Sequence, residues 1–261
     1  MVQLKPIVPV PPMRRDMDLI ANRLPSTRDL AGRSIALAFD DGAGLVMELG
    51  EAALRWEARE PSGRVQAGED AWDAVEIRPG IFFLDFAASD GRCAFSNVID
   101  FNAGRALTVW NEVTGEGDSA DLYEMLRPGR IVGMAGSYVP VAETRDLLGK
   151  RLYCEYSPEA ALEHIYVNSK TIIWQWLLSP EALKYEVGIE AVTMWKIAEE
   201  LYLISTRDQP PMELTLLIDL QQMRNVGRLF GYSPYGVLDR RVGATVTFLG
   251  KFDYPAGYLP G

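Results

Sequence analysis

The chain has 261 residues, of which 48% are hydrophobic and 24% are charged, and its 26 basic and 36 acidic residues give a formal net charge of −10 at pH 7. This composition excludes a disordered or fibrous chain and suits one large domain or two of ordinary size. An acidic chain with a pI near 4.8 repels phosphate backbones and anionic lipid surfaces, so neither a nucleic acid nor a membrane is the expected partner.

Residues 1–29 are predicted to form a proline-rich leader. Pro6, Pro9, Pro11 and Pro12 favour an extended backbone and prevent a helix. The leader lacks the order of a secretory signal, and no later stretch approaches the roughly 18–20 apolar residues that span a bilayer. We therefore expect a cytoplasmic protein.

Cys93, Cys154 and His164 are the chain's only cysteines and its only histidine. They are too few for a disulfide framework or a structural zinc site, and the carboxylates show no EF-hand-like spacing. Both cysteines are expected to be small buried fillers. No metal and no cofactor is predicted.

Short segments of the sequence recur at a nearly constant distance. Residues 30–33 (LAGR) return at 147–150 (LLGK), and residues 98–101 (VIDF) return at 217–220 (LIDL). The offset is 147 − 30 = 117 for the first pair and 217 − 98 = 119 for the second. Chance similarities would give scattered offsets, so we predict two copies of one structural unit.

The two units, residues 30–139 and 146–258, alternate apolar and polar residues with a period of two, as in residues 54–58. Turn signals rich in Asp, Asn and Gly separate these runs, which is typical of consecutive hairpins. Closing such strands into a barrel leaves no exposed edge. The prediction is an all-β protein of two tandem antiparallel up-and-down barrels, with helix only at residues 118–126 and 158–162.

The stretch from Glu163 to Trp174 (EHIYVNSKTIIW), with residues 196–204 and 217–220, resembles the family named molybdenum cofactor biosynthesis protein F (MoaF). The two-part layout is similar to that family's N-terminal and C-terminal domains. The resemblance implies a calycin or lipocalin-like fold in each unit, with an interior able to take a small, partly apolar molecule. It implies no molybdenum chemistry, and no glycine-rich loop opens a helix as at a pterin-phosphate site.

A weaker similarity connects this chain with the phenolic acid decarboxylases, which are single lipocalin-like barrels. Residues 163–174 resemble their pattern of an acidic residue, an aromatic, Asn, Thr-Ile and a further aromatic. Residues 202–208 resemble their Tyr-x-x-Ser segment, so Asp208 would take the place of their catalytic acid. The arginine that holds the substrate carboxylate in those enzymes has no counterpart between Trp176 and Trp195.

His164 is the natural candidate for moving a proton at neutral pH, because its unperturbed pKa lies near neutrality. A lone histidine on a strand is more often a structural residue. A hairpin that turns on Ser169 pairs His164 with Trp174, whereas one that turns between Ser169 and Lys170 pairs it with Gln175. A slip of one residue exchanges the two faces of the strand, so both directions stay open.

The second unit is rich in aromatic residues with polar tips, a composition that suits either an aromatic ligand or core packing. These residues are Tyr156, Tyr166, Trp174, Trp176, Trp195 and Tyr202. Arg207 and Asp208 have no equivalents in the first unit, so Arg207 is predicted to hold a substrate carboxylate inside the barrel. Asp100 and Asp219, each five residues before an arginine, recur in both units and are expected to be structural turn elements.

These features predict a cofactor-independent lyase or isomerase that moves a proton on an aromatic or conjugated acid. His164 or Asp208 would be the acid or base, Tyr166 or Tyr202 would donate a hydrogen bond to developing oxyanion charge, and Arg207 would anchor the substrate. The alternative is a non-catalytic binding protein for small molecules, and a third reading is a structural protein whose barrels are filled by their own side chains. The sequence leaves the substrate and any homo-oligomer open.

Overall fold

The computed structural model describes residues 17–115, 120–134, 138–208, 212–233, 236–255 and 257, and their regular structure is almost entirely strand. The first eight strands are β1 Ser34–Phe39, β2 Gly44–Leu49, β3 Ala53–Arg59, β4 Val65–Arg78, β5 Ile81–Ala87, β6 Cys93–Asp100, β7 Arg105–Thr114 and β8 Asp121–Ile131. The others are β9 Ala142–Glu143, β10 Lys150–Ser157, β11 Ala160–Asn168, β12 Thr171–Leu178, β13 Val187–Ala198, β14 Leu201–Asp208, β15 Met212–Asp219, β16 Arg224–Ser233 and β17 Gly236–Lys251. A 3-10 turn at Glu181–Leu183 is the one helical element in these ranges. None of the described helical structure has the length and hydrophobicity of a membrane span.

Both units close into barrels. Strands β1 to β8 pair with their neighbours in sequence, and β8 returns to β1, which forms barrel 1. Strands β10 to β17 pair in the same manner, with β17 against β10 and β12 against β13, which forms barrel 2. Strand β9 adds to β13. The prediction of two tandem antiparallel up-and-down barrels is confirmed.

The repeat extends to the turns. Strand β7 begins at Arg105 and its counterpart β16 at Arg224, so the offset is 224 − 105 = 119 residues. Asp100 and Asp219, which precede these strands, each accept hydrogen bonds from two backbone N–H groups of the following turn, at 2.8–3.1 Å. The prediction that these aspartates are turn elements is confirmed, because each carboxylate satisfies the backbone of its own turn.

The two helices predicted from the sequence are wrong. From residue 121 onwards the first lies in β8, which pairs with β7 from Asp121 opposite Thr114 to Arg130 opposite Arg105. The second is a turn followed by the start of β11. Pairing with a neighbouring strand outweighs local helix propensity at both places.

Residues 17–23, here called the strap, complete the wall of barrel 2. Strand β10 pairs with β17 over only its first six residues. Beyond them, the strap accepts a hydrogen bond from the Gly243 N–H of β17 and donates one to the Tyr156 carbonyl of β10, each at 2.9 Å. Met17 and Leu19 pack into the core of barrel 2. Pro6, Pro9, Pro11 and Pro12 of the predicted leader lie outside the described residues.

The two barrels pack against each other through the outer faces of β4–β8 and β13–β17, which form the barrel interface. Its apolar part is a buried cluster with contributions from both barrels: Val75, Ile77, Ile81, Phe83, Val98, Leu107, Val109, Val141, Ile197, Leu201, Leu203, Leu217 and Val226. Because these strands bury both faces, the interface is a third core between the two barrel interiors.

Candidate functional site

His164 lies on β11 and points into barrel 2, where it is 2% exposed. Asn168 pairs with Thr171 across a two-residue turn, as in one of the two predicted registers. A bulge between Tyr166 and Asn168 then shifts the pairing, so that His164 lies opposite Trp174, as in the other. The bulge therefore decides which cross-strand partner the imidazole meets.

Most of the predicted aromatic residues share this interior. They are Tyr156, Tyr166, Trp174, Trp176 and Tyr202. The indole N–H of Trp174 donates to the carboxylate of Glu190, and the Tyr202 hydroxyl donates to Asp146 at 3.2 Å. The ring of Tyr166 stands edge-on to His164, with 6.4 Å between the ring centres. Trp174 and Tyr202 thus have protein partners for their polar tips, which leaves His164 and Tyr166 as the polar pair on β11.

Three inward-facing side chains, here called the interior polar group, hold buried atoms without oxygen or nitrogen partners among the described residues. These atoms are Nδ1 of His164, the hydroxyl of Tyr166, and both amide atoms of Asn225. Asn225 also lies within reach of the Cys154 thiol, which is a weak hydrogen-bonding group. Buried polar groups are nearly always hydrogen-bonded, so this set indicates a place for a bound molecule or ordered water.

Asn225 is not among the candidate residues predicted from the sequence. It opens β16, which reads RNVGRLF, and its amide takes an inward position that Leu229 occupies further along the strand. An uncharged polar residue at an inward position of an apolar alternation is the signal that could have identified it.

Burial keeps four ionisable side chains of this interior uncharged at neutral pH. It lowers the pKa of His164 to about 4 and raises the pKa of the Cys154 thiol to about 12. It also raises the pKa of Tyr156 and Tyr166 well above the ordinary value, because an ion loses hydration here. The side chains directly opposite His164 are a leucine and a tryptophan. The immediate surroundings of His164 therefore offer hydrogen-bonding groups and aromatic rings.

His164 is expected to stay uncharged across the neutral range. Its Cε1 proton resonance should keep the chemical shift of the neutral imidazole from about pH 8 to about pH 5.5 and should move only on further acidification, because burial lowers its pKa to about 4. As the only histidine, it needs no assignment variant. In urea the midpoint of the His164 titration should return to about pH 6.5. A titration midpoint of about 6.5 in the folded protein would instead show that the imidazole is in contact with solvent.

Two predicted residues lie outside the interior. Arg207 projects from the outer face of β14, with its side chain 42% exposed, and binds Asp121 at 2.9 Å. Trp195 packs against the barrel interface. The structure therefore brings neither of them together with His164, because strand alternation sends them to the opposite face. The backbone of Asp208 pairs with Met212, and its side chain lies outside the described part of the molecule.

Charged side chains are also buried at the barrel interface. The Oδ1 atom of Asp85 on β5 lies 3.5 Å from Nη1 of Arg228 and 3.4 Å from Nε of Arg241, both from barrel 2. Arg228 also binds Asp239 at 2.6 Å. Burial raises the pKa of Asp85, and these arginines oppose the rise. Asp85 thus links the two barrels through charge.

A pair of carboxyl groups meets at the barrel interface. The Ser205 hydroxyl lies within hydrogen-bonding distance of both Glu124 and Glu213, at 2.9 Å from Oε1 of Glu213. Thr215 and Asn111 also donate to Glu213. A hydroxyl carries one proton, so one of its two carboxyl contacts requires a protonated carboxyl group. Burial raises the pKa of Glu213 to about 8 and also raises that of Glu124, so the pair holds a proton at neutral pH.

No group of three or more His, Cys, Asp or Glu side chains in the described ranges is arranged to hold a metal ion. A crystal structure of a putative beta-lactamase from Burkholderia vietnamiensis resembles part of this chain, with 12% sequence identity and a TM-score of 0.35, over 41% of this chain and all of that one. This likeness is too low to carry an argument.

The sequence comparisons cover both barrels. The model of the MoaF N-terminal domain matches residues 19–114, and the model of the MoaF C-terminal domain matches residues 141–252. Protein MoaF of Klebsiella aerogenes is 32% identical over 197 residues, which are 68% of this chain and 73% of the relative. Two matched domains in the expected order and a relative of this similarity confirm the resemblance, and the chain belongs to the MoaF family.

Proposed function

We propose that barrel 2 binds a small, uncharged aromatic molecule. The observation that carries the proposal is the interior polar group, because His164, Tyr166 and Asn225 hold buried atoms without oxygen or nitrogen partners in the described structure. A ligand with hydroxyl, carbonyl or amide groups would supply the missing hydrogen bonds. Each such bond contributes about 0.5–1.5 kcal/mol to affinity.

The walls of the interior favour a flat ligand. Trp174 and Trp176 on β12 and Tyr156 on β10 belong to the same core cluster, and aromatic faces pack well against other rings. An ionised acid beside His164 would meet a leucine and a tryptophan instead of a compensating charge. The ligand proposed here is therefore aromatic, as the sequence predicts, but it has no carboxylate.

A lyase or isomerase is the second candidate. The Nδ1 atom of His164 is unpartnered among the described residues, and a neutral imidazole can take a proton from a bound substrate there. Tyr166, on the same strand, could donate a hydrogen bond to developing oxyanion charge. Catalytic roles for Asp208 and Tyr202 stay predictions, as does the cytoplasmic location.

Replacing Tyr166 by phenylalanine tests the binding proposal. Because the hydroxyl lacks a protein partner among the described residues, its loss should leave the free energy of unfolding unchanged or raise it by up to about 1 kcal/mol. Affinity for the ligand should fall about tenfold, since the complex loses one hydrogen bond. Urea denaturation measures the first quantity. Calorimetry measures the second, with the member of a panel of phenols, aryl amides and aryl ketones that most raises Tm.

Tyr153→Phe is the matched control, because Tyr153 lies on β10 with its phenol on the outer face. Its affinity for the ligand should equal that of the wild type. Native mass spectrometry of the purified protein should detect a retained small molecule. If no compound raises Tm and Tyr166→Phe lowers stability by more than about 2 kcal/mol, the hydroxyl has a protein partner and the barrel is filled by its own side chains.

A further inference from the structure

Barrel 1 holds a buried arginine beneath the turn between β1 and β2. Arg127 on β8 points inward, and its side chain is only 7% exposed. Its guanidinium lies 5.1 Å from the centre of the Trp110 ring, which belongs to the core of barrel 1. The sequence predicts an interior arginine in barrel 2, at Arg207, whereas the structure has an inward arginine in barrel 1.

Two N–H donors at this place lack acceptors within the described ranges. Nε of Arg127 and Nε1 of Trp110 are both buried and have no hydrogen-bond partner in the described part of the chain. A buried donor without an acceptor costs about 1–3 kcal/mol, and more when it is charged. A molecule that satisfies both groups must offer acceptor atoms, and the positive guanidinium favours an anion.

Asp41 occupies the position of such an anion. From the turn between β1 and β2 its Oδ2 atom contacts Arg127, although the Asp41 side chain is 45% exposed. Its Oδ1 atom accepts a hydrogen bond from the backbone N–H of Ala43 at 3.0 Å, within the same turn. An exposed carboxylate on a surface turn can move away, so a carboxylate from solution can take its place on the guanidinium.

We propose that this end of barrel 1 binds a small carboxylic acid, which replaces Asp41 on Arg127 and places its apolar part against Trp110 and Met125. The planar guanidinium matches a carboxylate in a two-point contact. Met125 packs against the barrel 1 core, and its sulfur lies 2.9 Å from Nη2 of Arg127. This site is independent of the one proposed in barrel 2, because it lies in the other barrel and takes a charged ligand.

Calorimetric titration of the full chain with sodium benzoate tests this proposal, with acetate and inorganic phosphate as comparison ligands. Asp41→Asn removes the internal competitor, so benzoate should bind this variant at least about tenfold more tightly than it binds the wild type. Arg127→Met should abolish binding. Asp40→Asn is the matched control and should bind like the wild type, because Asp40 lies in the same turn but accepts a hydrogen bond from Tyr138 at 3.0 Å.

The double variant Asp41→Asn/Arg127→Met is the control for loss of binding through unfolding, because it removes both charges and leaves neither group without its counter-ion. It should melt cooperatively and still fail to bind benzoate. Equal affinity in the Asp41→Asn and Asp40→Asn variants, or unchanged affinity in Arg127→Met, would overturn the proposal. Tighter binding of phosphate than of benzoate would overturn the assignment to carboxylic acids, and acetate binding as tightly as benzoate would overturn the role of the apolar wall.

Discussion

Replacing Arg228 by methionine is expected to cost about 3 kcal/mol of folding free energy, because the change leaves Asp85 buried with less compensating charge. Asp85 is 0% exposed, and Arg241, its other partner within 3.5 Å, is 44% exposed. Burial already raises the pKa of Asp85. Without Arg228 the carboxyl group takes up a proton more readily. The loss should therefore be larger at about pH 8 than at about pH 5.5, as measured by urea denaturation.

Two further variants distinguish the effect of leaving a buried charge uncompensated from the effect of breaking an exposed ion pair. Arg55→Met breaks a contact with Glu69 in which the side chains are 73% and 59% exposed, so it should change stability by less than about 1 kcal/mol. Arg228→Met/Asp85→Asn should recover more than half of the loss, because no uncompensated charge remains. A cost below about 1 kcal/mol for Arg228→Met at both pH values would mean that Asp85 does not depend on this arginine.

Between about pH 6.5 and pH 8.5 the wild-type protein is expected to lose stability because of Glu213. Burial raises the pKa of Glu213 from its ordinary 4.5 to about 8, so the folded state binds this proton more tightly than the unfolded state. The stabilisation by this proton is complete below the pKa of Glu213 in the unfolded state. It is lost as the pH rises through the pKa of Glu213 in the folded state. The slope reaches about 1.4 kcal/mol per pH unit.

Glu213→Gln should remove this part of the pH dependence, because an amide mimics the protonated carboxyl group and does not ionise. Relative to the wild type, the variant should gain stability on going from about pH 6.5 to pH 8.5 in urea denaturation. Arg207 faces Glu124 and opposes the rise of its pKa. His164 does not titrate in this pH range. Its lowered pKa makes the free energy of unfolding rise with pH only up to about pH 6.5.

Glu69→Gln is the control for the pH experiment, since its side chain is 59% exposed and lies far from Ser205 in sequence and on the other barrel. This variant should follow the wild type over the whole window. Parallel curves for Glu213→Gln and the wild type would show that Glu213 is already ionised at about pH 6.5, and the Ser205 hydroxyl would then face two carboxylates.

The order of the elements follows from local sequence. Period-two alternation predicts strands, Asp and Gly turns predict hairpins, and the constant offset predicts a second copy of the same barrel. The turns at Asp100 and Asp219 belong to this class, because each carboxylate binds backbone N–H groups only two or three residues ahead. The helix predicted at residues 118–126 shows the limit, since from residue 121 onwards the chain pairs with β7 instead.

The candidate sites depend on contacts that the local pattern does not contain. A bulge after Tyr166 sets the partner of His164, and strand alternation sends Arg207 outward while Arg127 points into barrel 1. Ser205 meets Glu124 across 81 residues of sequence. By itself, the sequence determined the order of the strands, because strands and turns rest on short-range chemistry, and it determined the duplication and the family through the similarity of its segments. Only the tertiary structure decided which polar groups are buried together, because burial and pKa depend on strands that closure and packing of the barrels bring into contact.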